Sequence, residues 1–233
     1  MTRADSPHTS DEQGAPERFQ AVVDARPHDA PWPTKSWPPA ATRLLGHVIE
    51  LVPCVPHRDG PALFELLDHD LVWAHVAGRP RSPAEYTAHL VKRQAAGFYP
   101  WLVRLLQPQG ALPAGALVGT TSYLDVSVLD ARLEIGATMY APAVWGSKVN
   151  PDAKRLLLEY AFEVLGAGRV QIKTDVRNVR SQQAIARLGA RYEGTLRRYQ
   201  RREDRSVRDT VLFSILAEEW PDVRYRLLKR LDV

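Results

Sequence analysis

A single cysteine, Cys54, stands in a chain of 233 residues. That excludes an internal disulfide framework and a metal site built from cysteine alone. Cys54 follows the apolar run VIELVP (48–53) and reads as a packed thiol, not a nucleophile. Histidine is missing from most of the chain. All seven histidines lie in the first 89 residues, so nothing beyond them can use imidazole as a base or a ligand. Metal is therefore not expected. No apolar run approaches the roughly 18 residues needed to span a bilayer. The opening MTRADSPHTSDEQ lacks an apolar stretch, so no signal peptide is visible and a cytoplasmic chain with no membrane partner is expected. A large excess of one charge is also absent. The formal net charge of +4 reads as a solvated basic surface, and nucleic acid is not an expected partner.

What is present suits an ordinary globular domain: 45% of residues are hydrophobic and 25% charged. Residues 1–40 carry seven prolines and little periodicity. They read as a loosely ordered tail, with Trp32 and Trp37 able to lie across a folded body formed by 41–233. In that body VIELVP is a strand candidate, and Asp59 can cap a helix running through Leu67. Ser82, Pro83 and Glu85 open a helix over 82–95 as N-cap, first helical residue and capping-box acid. YPWLVRLL (99–106) and LVGTTSYLDVSV (117–128) read as strands, with Gly110 and Gly115 marking the turn between them.

The stretch 133–189 is the most informative. In LEIGATMY (133–140), Leu133, Ile135, Ala137 and Met139 alternate with Glu134, Gly136, Thr138 and Tyr140. A helix follows with Asn150 as N-cap, Pro151 at its first position and an apolar stripe at 153, 156, 157, 160, 161, 164 and 165. RVQIKTD (169–175) is a strand, and a second helix opens at Asn178 and Ser181, buries Ala184, Ile185 and Leu188 and ends at Gly189. A hairpin of 190–200 with 208–216 and a last helix from Trp220 complete a mixed sheet with helices on both sides, α/β to α+β in class. Two loops here run into helix N-termini, where free N–H groups and the helix dipole attract anions. A phosphorylated cofactor, and hence an enzyme, is the leading reading.

Four segments in register carry a family resemblance: LEIGATMYAP (133–142), WGSKVNPDAKRLLLEYAF (145–162), KTDVRNVRSQQAIARLGARYEGTLR (173–197) and RDTVLFSILAEEW (208–220). Together they resemble the GNAT superfamily of acyl-CoA-dependent N-acyltransferases, nearest the branch that includes ribosomal-protein N-terminal acetyltransferases. The likeness covers about residues 44–220. It implies a mixed central sheet of about seven strands in which a splayed parallel pair holds CoA. It also implies acetyl-CoA as co-substrate and an amine as acceptor, a protein N-terminus or a small molecule. On this likeness Met139, Tyr140 and Ala141 lie along the pantetheine arm. The pyrophosphate sits on backbone N–H groups of Trp145, Gly146, Ser147, Lys148, Val149 and Asn150. Asn178 bonds the arm, and Ser181 falls one turn on, near the sulfur. Arg187 and Arg191 are candidates for the ribose phosphate. One departure stands out: the family loop commonly reads Gly–x–Gly–x–Gly/Ala, whereas Lys148 and Asn150 fill the later small positions here. A side chain at 148 either hinders close approach of the backbone or brings its ammonium to a phosphate oxygen.

Acyl transfer to an amine needs a base, because an alkylamine is mostly protonated at neutral pH. Glu134 on the cofactor strand is the first candidate, against a structural role pairing with Arg132; Asp125 and Asp175 are weaker, and Asp175 better suits capping the turn before Asn178. Many family members place a tyrosine seven residues after the asparagine. That position is Ile185 here, so Ser181 is the candidate donor to the departing thiolate. Backbone N–H groups near 139–141 would polarise the thioester carbonyl. RRYQRREDRSVR (197–208), with six arginines against two acids, reads as a solvated hairpin or as a patch facing substrate or RNA. The leading expectation is an N-acetyltransferase acting by direct transfer. Its rivals are a non-catalytic module binding RNA or a protein through this hairpin, and transfer of a larger acyl group such as succinyl.

Overall fold

The computed structural model describes residues 20–24, 42–202 and 204–233. Residues 20–24 belong to a first unit, Met1–Pro31, and are exposed without regular secondary structure. The rest of the expected tail, Trp32 and Trp37 included, lies outside the described residues. Every element below belongs to the second unit, Trp32–Val233.

Its strands are β1 (Leu44–Leu45), β2 (Ile49–Pro53), β3 (Tyr99–Leu105), β4 (Leu117–Ser127), β5 (Arg132–Tyr140), β6 (Arg169–Asp175), β7 (Arg191–Arg201) and β8 (Val207–Leu216). They form one sheet in the order β1-β2-β3-β4-β5-β6-β8-β7. The strand beyond the expected number is β1, whose two residues are too few to leave a periodic signal. Only β5 and β6 pair in parallel, and the crossover between them carries α4 (Val149–Glu159). The other helices are α1 (Pro56–Leu67), α2 (Asp70–Trp73), α3 (Pro83–Ala95), α5 (Val179–Ala186) and α6 (Trp220–Leu231).

Alternation along the strands divides the core between the two faces of the sheet. Trp101, Val103, Leu133, Ile135, Val170, Ile172, Val211 and Phe213 face a large cluster closed by α4, α5 and α6. Leu102 and Met139 face a smaller one closed by α1, α2 and α3. The second cluster covers only part of its face, and among the described residues no helix contributes to it around β5, β6 and β8.

Local sequence accounts for most element ends. Ser82 accepts the Glu85 N–H at 3.2 Å, and the Glu85 carboxylate accepts the Arg81 N–H at 2.8 Å. The start of α1 differs from expectation: Val55 is its N-cap, and Asp59 lies inside the first turn, reaching back to the Val55 N–H at 2.7 Å. The start of α4 differs too. Lys148 is the N-cap and Asn150 the second helical residue, because the Ser147 hydroxyl already accepts the Val149 N–H at 3.2 Å. Asp152 in that first turn is fully buried and ties α4 to β2. One of its oxygens accepts the N–H groups of His47, Val48 and Ile49 at 2.8, 2.7 and 3.1 Å, and the other accepts Arg155.

The continuation of α4 is a π turn over Tyr160–Val164. Its cause is the buried hydroxyl of Tyr123, which donates to the Leu157 carbonyl and so inserts into the helical ladder. The wider turn rotates Val164 out of the expected stripe, leaving it 57% exposed.

Candidate active site

The parallel pair comes apart almost as soon as it forms. β5 and β6 match at Arg132↔Arg169, Leu133↔Val170 and Glu134↔Gln171 only, although they run on to Tyr140 and Asp175. A bulge on the other edge of β5 explains the parting: Ala137 takes φ 48°, and the register with β4 slips between Thr120 and Ser122. Bulges sharpen twist and turn a strand away from its neighbour. The bulge also reverses the alternation. Met139 therefore joins the smaller core with Leu102 instead of sharing a face with Leu133 and Ile135 as the simple pattern predicts. Beyond it, Ala141 donates its N–H to the Val118 carbonyl at 2.9 Å and is not free for a ligand, contrary to expectation. The N–H of Tyr140, pointing the opposite way, faces the open gap. The Tyr140 carbonyl accepts the Trp145 indole N–H at 3.0 Å.

At the end of the gap the chain enters α4 through a loop that leaves several N–H groups free. Gly146 adopts φ 76°, and the N–H groups of Gly146, Lys148 and Asn150 have no acceptor among the described residues. Lys148 sits at φ −72°, an ordinary helical angle, so its side chain imposes no strain there. Its ammonium turns to the end of α6, 2.6 Å from Asp232 and 2.9 Å from the Leu231 carbonyl. Val149 is fully buried. Beside that end of α6 lie two like charges: burial first, and then the Arg187 charge, hold the Arg230 guanidinium below its ordinary pKa. Arg191 instead pairs with Glu219 at 3.2 Å. Arg180, at the start of α5, covers the Trp145 ring at 3.7 Å and links the two walls of the gap.

On the face of the sheet opposite α4, Glu134 is 5% exposed. Its partner is Lys173 at 2.7 Å, with the Gln171 amide donating at 3.2 Å. Arg132, the partner expected from sequence, pairs with Asp125 and Asp130. Burial pushes the Glu134 carboxyl above its ordinary range, an effect that Lys173 and Gln171 only partly offset. Burial works against the Lys173 ammonium, but Glu134 and Tyr199 together outweigh it and its pKa is raised. Lys173 donates to the Tyr199 hydroxyl at 3.2 Å, bringing the edge strand β7 into the cluster. Asp175 caps the next turn as expected, accepting the Arg177 N–H at 2.9 Å, and is gripped by Arg202 at 2.7 and 2.8 Å.

Asn178 is the N-cap of α5, its side-chain oxygen accepting the Ser181 N–H at 3.0 Å. That bond fixes the side chain and leaves its NH2 group, a donor, for a ligand. Ser181 is half-buried on the same turn, and Ile185 is buried in the core. Burial, then Asp59, pushes the Cys54 thiol up to about 12, which makes it inert. Among the described residues no group of three or more His, Cys, Asp or Glu is placed to hold a metal, and no helix is long and apolar enough to cross a membrane.

Sequence reasoning passes over Lys173, Tyr199, Arg180 and Lys154. Lys173 shares the β6 alternation with Gln171 and Asp175, but only the register Glu134↔Gln171 puts that face of β6 beside Glu134. Lys154, buried under β5 and donating to the Thr138 hydroxyl at 3.0 Å, left no sign either, because a lysine on an otherwise apolar helix reads as a solvated residue.

Comparison with known proteins agrees with this geometry. The model of the acetyltransferase (GNAT) domain family matches residues 49–191. A Chromobacterium violaceum structure described as a probable GNAT-family acetyltransferase is 29% identical with a TM-score of 0.76, covering 87% of this chain and 100% of that one. RimJ of Mycobacterium smegmatis, solved in complex with CoA-disulfide, has a TM-score of 0.68 over 82% of this chain and 95% of its own; at 22% identity the likeness is one of fold. The N-acetyltransferase p20 of Bacillus licheniformis, itself described as uncharacterized, is 28% identical over 104 residues. That match spans 45% of this chain and 57% of p20.

Proposed function

This chain belongs to the GNAT acetyltransferase family, and on that premise we propose that it moves the acetyl group of acetyl-CoA directly to a primary amine. The observation that carries the reading is the gap between β5 and β6, which ends at the free N–H groups of the α4 loop. A strand edge with unpaired backbone groups suits an extended amide-bearing chain, and a helix start suits its phosphates. Acetyl-CoA, when bound, supplies an acyl group activated as a thioester.

The chain's own residues divide the remaining work. Tyr140 offers its N–H to the arm from β5, and the Asn178 NH2 offers a donor from the opposite wall. Gly146, Lys148 and Asn150 present N–H groups to the pyrophosphate, with the charges of Arg187 and Arg230 nearby. Glu134 takes the proton of the incoming ammonium, a task favoured by its raised pKa. Lys173 and Gln171 orient its carboxylate. Ser181 lies on the turn that Asn178 caps and offers a hydroxyl to the departing sulfur. Cys54, buried and protonated, takes no part, so no covalent step on the protein is needed.

The test is calorimetric titration with acetyl-CoA, CoA and succinyl-CoA. Asn178→Asp keeps the oxygen that caps α5 and removes the NH2 donor, whereas Asn178→Ala removes both. The aspartate variant should keep its melting temperature while acetyl-CoA binds about tenfold more weakly. An unchanged dissociation constant in both variants rules out the role given to Asn178. Failure of every acyl-CoA to bind the wild type rules out acyl transfer.

A further inference from the structure

On the sheet face that carries Glu134, one cation stands apart from the ion pairs. Glu134 pairs with Lys173, Asp175 with Arg202, and Asp125 with Arg132. Arg208, on β8, has no such counterpart among the described residues. Its Nε is buried without an acceptor, and its side chain makes no hydrogen bond or ion pair among the described residues. Two residues along the same face, Thr210 is fully buried and its hydroxyl is likewise unpartnered. Both project away from the main core, because Val211, Phe213 and Ile215 alternate with them into it. Lys173 is paired with Leu212 of that same strand, which puts Arg208 and Thr210 on the face of Glu134.

A half-buried guanidinium without an acceptor is costly, since each desolvated N–H gives up water for nothing. Burial holds the Arg208 guanidinium below its ordinary pKa, and Asp175, Arg202, Glu134 and Tyr199 all lie close enough to act on its charge. The cofactor's phosphates cannot relieve it, because α4 and its loop lie against the opposite face. A single positive charge with a planar fork of donors matches a carboxylate, and the Thr210 hydroxyl adds a third donor.

Resting on the acyl-transfer reading above, we infer that Arg208 and Thr210 bind a carboxylate belonging to the acceptor itself, so that the acceptor is an amine bearing its own carboxylate, as an α-amino acid does. Arg208 and Glu134 on one sheet face then grip the two ends of the same small molecule: the carboxylate at β8, the ammonium at β5. A peptide N-terminus, whose first carboxylate is an amide, lacks the group that Arg208 requires.

Binding of product analogues tests this without turnover. The full chain, saturated with CoA, is titrated with N-acetyl derivatives of the common amino acids and with their matching amides. At least one N-acetyl amino acid should bind, and its amide should bind at least about tenfold more weakly. Arg208→Gln should abolish that preference while leaving acetyl-CoA affinity unchanged. Thr210→Val, close in shape and safe for folding, should reduce the preference by a smaller factor. The inference is overturned if no N-acetyl amino acid binds, if acid and amide bind alike, if the amide binds better, or if the preference survives Arg208→Gln. If acetyl-CoA itself does not bind, the acyl-transfer reading falls, and the same acid–amide comparison on the free protein still decides the carboxylate site.

Discussion

At the scale of single residues, Glu134 carries the most specific consequence. Its carboxyl is raised by burial and must be ionised to accept a proton. Activity that depends on it is therefore present above its raised pKa and lost as the pH falls through it. Glu134→Gln should lower kcat by about 100-fold and remove that acid limb from the pH–rate profile, with acetyl-CoA affinity unchanged. A variant that keeps the wild-type profile assigns Glu134 the lesser task of holding Lys173. Sequence could single out Glu134 because it alternates on the strand that precedes the loop into α4. It could not single out the partner: Lys173 lies on the next strand over, a contact that depends on the parallel register Glu134↔Gln171 and that no local pattern encodes. Arg132, near in sequence, was the wrong partner for the same reason.

At the scale of elements, what sequence reveals is what a few neighbouring residues decide. Ser82, Pro83 and Glu85 open α3 as expected, since a cap needs only its own turn. The bulge at Ala137 is different. An alanine at φ 48° has no glycine signature, and its cause is the pairing with β4, so the alternation of β5 was misread beyond it. The start of α4 shows the same limit: Asn150–Pro151 looks like a cap, yet Ser147 reaches Val149 first. Asp152 shows what long-range contacts add. Its carboxylate accepts three N–H groups from the turn into β2 and balances the buried Arg155. Removing it leaves three buried donors unmatched and Arg155 with Glu159 as its one remaining ion-pair partner among the described residues, so Asp152→Ala should cost about 3–5 kcal/mol in denaturant unfolding. It should also loosen the α4 start and weaken acetyl-CoA binding. A loss below about 1 kcal/mol would show that water replaces the carboxylate readily.

At the scale of the whole molecule, the class of fold and the order of its later elements follow from periodicity, but the division into two cores does not. Which face each strand gives to which helices emerges only once β5 has bulged and parted from β6. Lys154 records the tension of that arrangement. It belongs to the helix that closes the large core, is 5% exposed, and has the Thr138 hydroxyl as its hydrogen-bond partner. Burial lowers its pKa to about 7 from an ordinary 10.5, with the charge of Glu134 only partly opposing. In the unfolded chain the amine stays protonated up to about pH 10.5, while in the folded chain it releases its proton near 7. Between those values the unfolded state binds more protons, so this residue's contribution makes stability rise with pH. Its full penalty applies below pH 7 and is gone above 10.5. Lys154→Met keeps the length of the side chain and removes the titration. It should therefore stabilise the fold by a few kcal/mol at pH 6 and by much less at pH 10. Taking the difference between variant and wild type at each pH cancels Cys54 and the buried tyrosines, which titrate in both. Equal gains at the two pH values would mean that the amine is already solvated in the folded state, and that the space beneath the parted strands admits water as well as a ligand.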